Sequence, residues 1–440
     1  MRYIPSSFES EREMLNTIGI ERYEALLDVI PDNLKYNKNY GLPKNTSEYD
    51  LIMEAQNHLK KGKPTENAIC FSGCGAYDHF VPEVVNFLSS RSEFYTSYTP
   101  YQAEVSQGTL QYLYEFQTMI CEITGMDVAN GSLYDGGSAI AEACSLAVNY
   151  SRNKTIYISE GVNPRFIEVV RTYLSRRQIN IKTLPLKNGK TDLSNINLED
   201  NAGVVFQYPN YFGVVEDVQA FSEKLQDSKT QLIVTGDPIA YGMLKSPGEC
   251  GADIYAGEGQ VFGNPLNYGG PYLGLFSAKK HLMRKMPGRI IGKTEDIDGN
   301  DGYVLTLQTR EQHIRRENAT SNICTNQGLL ALRATIYLSL LGKNGFKDLA
   351  KRCFSLAHFL AGEIGKIPGY TLPFGKNFFR EFLVKTPVPA KNIIKAAKQE
   401  NLILASSESG SDNEIIIAVT EKRSVQEMKK LITVLKKNSI

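Results

Sequence analysis

The chain has 440 residues and no long apolar run, since nothing in it approaches the ~18–20 consecutive apolar residues needed to span a bilayer. It also lacks an excess of either charge. Lys plus Arg number 49 and Asp plus Glu 48, so no global field draws it to nucleic acid or anionic lipid. The opening stretch MRYIPSSFESEREMLNTIGI carries charges throughout and lacks the uninterrupted apolar core of a secretory signal. Cysteine is sparse and odd in number; seven residues scattered over a long chain do not make a disulfide framework. These absences predict a cytoplasmic protein without nucleic-acid or membrane partners.

Several apparent motifs lack a part that their chemistry requires. CFSGCGAYDH places Cys70, Cys74, Asp78 and His79 close together, but the spacing fits no common structural zinc site and no second ligand pair follows. A glycine-rich turn beside the core is the expectation, with no metal. GRIIGKT (288–294) resembles a phosphate loop with its first glycine one residue too close and no helix after Thr294. DIDGNDG resembles the start of a calcium loop, yet Asp301 takes the turn glycine's place and Leu307 that of the bidentate acid. GEGQVFG follows a strand, as a dinucleotide fingerprint would, but a second strand comes next instead of a helix.

What is present is a repeating pattern. FESEREMLNTIGIERYEALLDVI (8–30) has the spacing of a helix pair, and a polar arm over 31–48 follows it. TLQYLYEFQTMICEIT (109–124) predicts a helix stopped by Gly125, and AIAEACSLAVNYSR a second one. Strands and helices then alternate: KTIYIS, RFIEVVRTYLSRR, NIKTLPL, AGVVFQYP, VEDVQAFSEKLQD, QLIVTGDP, ADIYAG and YLGLFS. Repeated strand–helix–strand units predict an α/β fold with a mainly parallel sheet covered on both faces. Beyond Cys324 two long helices, about 324–342 and 344–366, precede a smaller C-terminal α+β region. The expected divisions are 1–60, a helical segment with an arm; 61–323, a large α/β domain; and 324–440, the small domain.

Three places stand in a meaningful order. DGGSAIAEA puts Gly136, Gly137 and Ser138 at the start of a helix, where backbone amides can face an anion or simply be capped. Asp237 closes the strand QLIVTGDP, where a carboxylate can meet a ligand. GADIYAGEGQVFGNP then has the form of a cofactor-lysine loop, with Gln260 where an amine is needed. Phosphate loop, strand-end acid and imine-forming lysine is the chain order of pyridoxal phosphate enzymes of the aminotransferase-like fold. An amide nitrogen is delocalised into its carbonyl and cannot attack an aldehyde.

Longer stretches carry a more specific resemblance. YTPYQAEVSQGTLQYLYEFQTMICEITGMDVANGSLYDGGSAIAEA (98–143), DPIAYGMLKSPGECGADIYAGEGQVFGNPLNYGGPYLG (237–274) and RRENATSNICTNQGLLALRA (315–334) closely resemble the glycine-decarboxylating P-protein of the glycine cleavage system. The opening YIPSSFESEREMLNTIGIERYEALLDVIP does so too. The single-chain form is about twice this size with two similar halves, and this chain resembles the amino-terminal half, known in two-subunit versions as subunit 1 or alpha.

The resemblance implies the pyridoxal phosphate-dependent transferase type I fold and an oxidoreductase complex that is inactive without its second half. It places the cofactor lysine in the other half. Lining up that loop's phenylalanine and proline with Phe262 and Pro265 sets Gln260 at the lysine's position. Subunit 2 would hold pyridoxal phosphate, and none would be bound covalently here. Decarboxylated glycine would leave an aminomethyl group for the lipoyl arm of H-protein, in an assembly of two copies of each subunit. Enzymes of this fold build active sites at dimer interfaces, so FYTSYTPYQAE (94–104), with Tyr95, Tyr98, Tyr101 and Glu104, is expected to contribute there or to pack the interface. Gly136, Gly137, Ser138, Asp237 and Gln260 would be remnants of a cofactor site. Two alternatives stay open: a self-sufficient pyridoxal enzyme using another lysine, Lys245 being nearest, and a purely structural partner.

Overall fold

The structure, a computed structural model, describes residues 7–36, 38–43, 45–61, 68–194, 196, 201–226, 228–408 and 410–439. Residues 1–6, with the first four of the opening motif YIPSSFESEREMLNTIGIERYEALLDVIP, lie outside the described residues. The chain divides into two compact units, 1–66 and 67–440.

In the first unit, α1 (Phe8–Ile18) is capped by the Ser7 side chain, which accepts the Ser10 N–H. It stops at Gly19 in the left-handed conformation (φ 83°), whose N–H returns to the carbonyls of Leu15 and Asn16. The helix pair expected over 8–30 is therefore one helix and a tight turn, Tyr23–Leu27, and α2 (Glu48–Lys61) comes later. Neither α1 nor the turn buries a residue. Sixteen large apolar side chains between Phe8 and Leu59 stand exposed.

The second unit is built on a seven-stranded sheet. Its strands are β1 (Val128–Ala129), β2 (Thr155–Ser159), β3 (Asn180–Leu184), β4 (Gly203–Gln207), β5 (Gln231–Thr235), β6 (Ile254–Glu258) and β7 (Gly274–Ala278), in the order β1-β7-β6-β5-β4-β2-β3. β2 through β6 are parallel, while β7 runs against both β6 and β1. The period of two sends alternate residues into different cores. Val204, Phe206, Leu232, Val234 and Tyr255 pack with Leu110, Leu113 and Phe116 of α3 (Gln107–Thr124). Val205, Ile233, Ile254 and Ala256 pack with Ile140, Ala143 and Cys144 of α4 (Gly136–Ser151). Each such Val, Leu, Ile or Phe side chain, fully buried, contributes ~1.5–3 kcal/mol. Both faces are covered, which is why these strands read as continuous apolar runs. Crossovers α5 (Pro164–Leu174) and α6 (Val218–Leu225) lie where the alternation predicts.

GRIIGKT runs into a hairpin, β8 (Ile290–Glu295) with β9 (Asp301–Thr306), and DIDGNDG is its turn. The following helix α7 (Gly328–Ile364) breaks at Gly342 (φ 59°), giving the two expected stretches. It begins at 328 rather than 324 because the preceding residues are tied elsewhere. The Cys324 N–H donates to the Tyr134 hydroxyl, the Asn326 side chain to the Gly131 carbonyl, and the Gln327 N–H to Ser132 Oγ.

The C-terminal region has an antiparallel sheet, order β10-β12-β11, of β10 (Glu381–Lys385), β11 (Ala405–Ser406) and β12 (Glu414–Ala418). With α8 (Ala390–Gln399) and α9 (Val425–Lys437) it encloses a third core around Phe382, Val384, Ile393, Ile415, Ile417 and Leu431. The segment after Ile69–Cys70 leaves this region, the Ala418 N–H bonding the Phe71 carbonyl, and enters the site above the large sheet.

Candidate functional site

The carboxyl ends of β5 and β6, the start of α4 and the glycine-rich segment 72–79 converge. Gly73 lets that segment close in, because a Cβ there would lie 2.7 Å from both Ala418 Cβ and the Tyr77 ring. At the centre is Gln260, fully buried. Its Oε1 accepts the Tyr77 N–H at 2.9 Å, and its Nε2 donates to the carbonyls of Tyr77 (3.1 Å) and Asn264 (2.7 Å). One amide thus clamps both sides of the Tyr77 peptide, using an acceptor that an ammonium group does not have. His79 backs this clamp. Its Nε2 accepts the Gly263 N–H at 3.2 Å, which leaves the proton on Nδ1 facing the Tyr77 carbonyl at 3.2 Å. Burial lowers the His79 pKa to about 4, so the ring is neutral.

Asp237 sits just past β5, as expected, but it meets a protein cation. Its Oδ2 lies 2.5 Å from Nε of Arg380, the residue before β10. Burial works against the Arg380 charge, and the Asp237 carboxylate outweighs it, so the guanidinium is held protonated. The Arg380 guanidinium lies over the Tyr77 ring, 4.1 Å from its centroid. The Tyr77 hydroxyl donates to Glu381 Oε2 at 2.9 Å, and Glu381 Oε1 accepts the Cys74 N–H at 2.7 Å. Burial pushes the Glu381 carboxyl up to about 7.

The helix start expected to face an anion faces a carboxyl group of the chain's own. The Gly136 N–H donates to Glu258 Oε2 at 2.9 Å, and Glu258 Oε1 accepts from the N–H groups of Gln260 (2.9 Å) and Leu273 (3.0 Å). Burial pushes Glu258 up to about 8, against the pull of these three donors. Ser138 is engaged in a capping box with Asp135. A Cβ at Gly136 would stand 3.0 Å from the Glu258 backbone, so glycine keeps that approach open; Gly137 lines the neighbouring cleft.

Little space is left. Two cavities touching both Tyr77 and Asp237 measure about 20 Å³ each, room for one water apiece. A cleft of about 570 Å³ lies outside them, among Cys74, Asp135, Phe166, Tyr211, Glu258 and Tyr272. Pyridoxal phosphate needs an amine, an anion cradle, a free acid for its ring nitrogen and room for the ring. The amine is an amide here, the cradle holds Glu258, the acid holds Arg380, and Tyr77 fills the space between. The residues do not fit the group.

The remaining sequence candidates are dispersed. Asp78 pairs with Lys422 (2.6 Å) and Arg423 (2.9 Å), and both His79 nitrogens are engaged. Among the described residues no group of three or more His, Cys, Asp or Glu is placed to hold a metal. Lys245 is exposed and bonds the Gln219 side chain at 3.1 Å. Tyr95, Tyr98 and Tyr101 stand at the surface, 66%, 84% and 56% exposed, with Glu104 exposed on the following turn. Sequence reasoning missed Tyr77, Glu258, Arg380 and Glu381. The signal for the last two was a charged pair, Arg-Glu, embedded in the apolar run NFFREFLV.

Residues 1–435 match the family model for the glycine cleavage system P-protein. The chain is 44% identical over 440 residues to a probable glycine dehydrogenase (decarboxylating) subunit 1 from Chloroherpeton thalassium, covering 99% of each. It superposes on a crystal structure of glycine decarboxylase (P-protein) of the glycine cleavage system in inhibitor-bound form, with TM-score 0.92 and 37% identity over 99% of this chain and 100% of that one. A Burkholderia pseudomallei sphingosine-1-phosphate lyase, 13% identical, shares the fold at TM-score 0.66 over 93% of this chain and 94% of that one.

Proposed function

Because this chain belongs to the glycine cleavage system P-protein family, we propose that it is the cofactor-free half of a glycine-decarboxylating enzyme. Its counterpart, subunit 2, carries pyridoxal phosphate, and the two chains assemble as two copies of each in the cytoplasm. The complex decarboxylates glycine and passes the aminomethyl group to the lipoyl arm of H-protein, whose disulfide is reduced.

The observation that carries this reading is the Gln260 clamp, with both ends of the amide spent on backbone groups and nothing left to act as an amine. The filled anion cradle supports it, as does the Asp237–Arg380 pair. What this chain offers instead is a surface. Phe80, Val84, Phe87, Tyr95, Tyr98, Tyr101 and Val105 are exposed within 26 residues, and we read this stretch as an interaction face. Tyr95, Tyr98, Tyr101 and Glu104 lie on this face and close subunit 2's pocket from outside, their rings excluding water and their polar tips meeting the substrate side.

The test is reconstitution. Exchange of labelled bicarbonate into the glycine carboxyl is expected from the mixture of subunits and from neither alone. Borohydride is expected to fix pyridoxal phosphate to subunit 2 only. A stoichiometric adduct on the chain described here would overturn the assignment. Alanine at Tyr95, Tyr98, Tyr101 or Glu104 should slow exchange by the assembled complex; unchanged rates would refute the pocket-closing role.

A further inference from the structure

Arg289 is a charged side chain only 2% exposed, in the loop that leads into β8. It joins three pieces of chain far apart in sequence. Its Nη1 donates to Asn326 Oδ1 at 3.2 Å and its Nη2 to the Cys324 carbonyl at 2.9 Å. Its own carbonyl accepts the Gly131 N–H at 2.8 Å, while Asn326 Nδ2 donates to the Gly131 carbonyl at 2.7 Å. The guanidinium also lies 5.6 Å from the centroid of the Tyr101 ring. The His313 ring also meets the Tyr101 ring edge-on at 6.1 Å, with His313 Nδ1 3.6 Å from Glu311 Oε2.

Tyr101 therefore differs from Tyr95 and Tyr98. All three are exposed, but among the described residues only Tyr101 has its ring seated against a buried cation and a second ring. Its hydroxyl has no partner among the described residues. The Arg310 guanidinium steadies the surroundings by bonding the carbonyls of Met286, Gly288 and Leu307.

We propose that Arg289 is a positioning residue for the glycine reaction: its fork fixes the Cys324–Asn326 strap while its face fixes the Tyr101 ring, so that one tyrosine hydroxyl is presented to subunit 2's pocket in a single arrangement. This rests on the reading that the tyrosine face closes that pocket. The physical reason is preorganisation. An aromatic side chain held before association loses less freedom on docking, and its hydroxyl stays where the reaction needs it. Lysine keeps the charge but cannot supply two parallel N–H bonds and a planar face together.

The test is a double-mutant cycle in the reconstituted complex, reading kcat and KM for glycine separately along with affinity for subunit 2. R289K and Y101A are each expected to lower kcat about tenfold, with subunit affinity little changed, and the double variant to be no slower than the slower single one. If Y101A slows turnover but R289K does not, or if their effects multiply, the positioning role is wrong and the interface reading stands. If Y101A leaves kcat unchanged, the interface reading fails for Tyr101 and the proposal falls with it. As a guard against simple misfolding, R289A is expected to regain kcat on addition of guanidinium ion at concentrations that leave the wild type folded. Failure of that rescue with a folded R289A chain would also overturn the proposal.

Discussion

Asp237 Oδ2 and Arg380 Nε stand 2.5 Å apart, both side chains buried, and the contact ties the end of the large sheet to the residue before the first strand of the C-terminal region. In a cofactor enzyme of this fold an acid at the same strand end serves the ring nitrogen. Here it neutralises a cation supplied by the polypeptide itself. Asp237→Asn leaves the guanidinium buried and unpaired, and should destabilise the free chain by ~3–5 kcal/mol in urea unfolding. Replacing both partners with apolar residues of similar volume should cost far less, because two desolvation penalties vanish with the attraction.

Restoring a lysine should not restore an enzyme. Gln260→Lys removes the acceptor for the Tyr77 N–H and leaves an amine in a space already filled by Tyr77. The variant should be less stable by ~2–4 kcal/mol, one lost buried partner plus the cost of burying the amine. Incubated with pyridoxal phosphate, it should acquire no borohydride-stable adduct. Adduct formation in stoichiometric yield would mean that Tyr77 and Arg380 move aside readily.

Glu258 offers a gain-of-binding test. Glu258→Ala empties the anion position and orphans the N–H groups of Gly136, Gln260 and Leu273. That should cost ~3 kcal/mol or more, and inorganic phosphate should recover part of it by occupying the helix start. Phosphate should raise the Tm of the variant and leave the parent unmoved. In the parent, the Glu258 pKa is raised by burial to about 8. Its stabilising contribution is therefore whole below ~4.5 and is lost as the pH rises through 8.

His79 acts in the opposite sense. Burial depresses its pKa to about 4, whereas an unfolded histidine titrates near ~6.5. Its contribution is whole above pH ~6.5 and is lost as the pH falls towards 4, by up to ~3 kcal/mol. His79→Gln lacks this titration. The gap in unfolding free energy between parent and variant should narrow as acid is added across that window, measured by urea titrations at a series of pH values. A gap independent of pH would show that His79 titrates alike in the folded and the unfolded chain.

Much of this was legible in the sequence. The apolar runs QLIVTGDP and AGVVFQYP read as buried parallel strands because both faces are covered, and Gln260 could be singled out because one functional group differs from the amine the loop requires. What filled the site was not legible. Tyr77 and Glu381 are 304 residues apart, and the hydrogen bond between them exists only once the C-terminal sheet packs on segment 71–80. The start of α7 was misplaced by four residues for a similar reason. Nothing in the local pattern of 324–327 shows that Tyr134, Gly131 and Ser132 hold that stretch extended. Glu258 looked like part of a glycine-rich turn, and its role as the internal acceptor at the helix start depends on where α4 begins.

The outward-facing apolar side chains of the first unit carry a cost for the cell that makes this chain. With nothing laid over them, Phe8, Ile18, Val29, Leu34 and Leu42 stand in water, an invitation to proteases and to clumping with other copies.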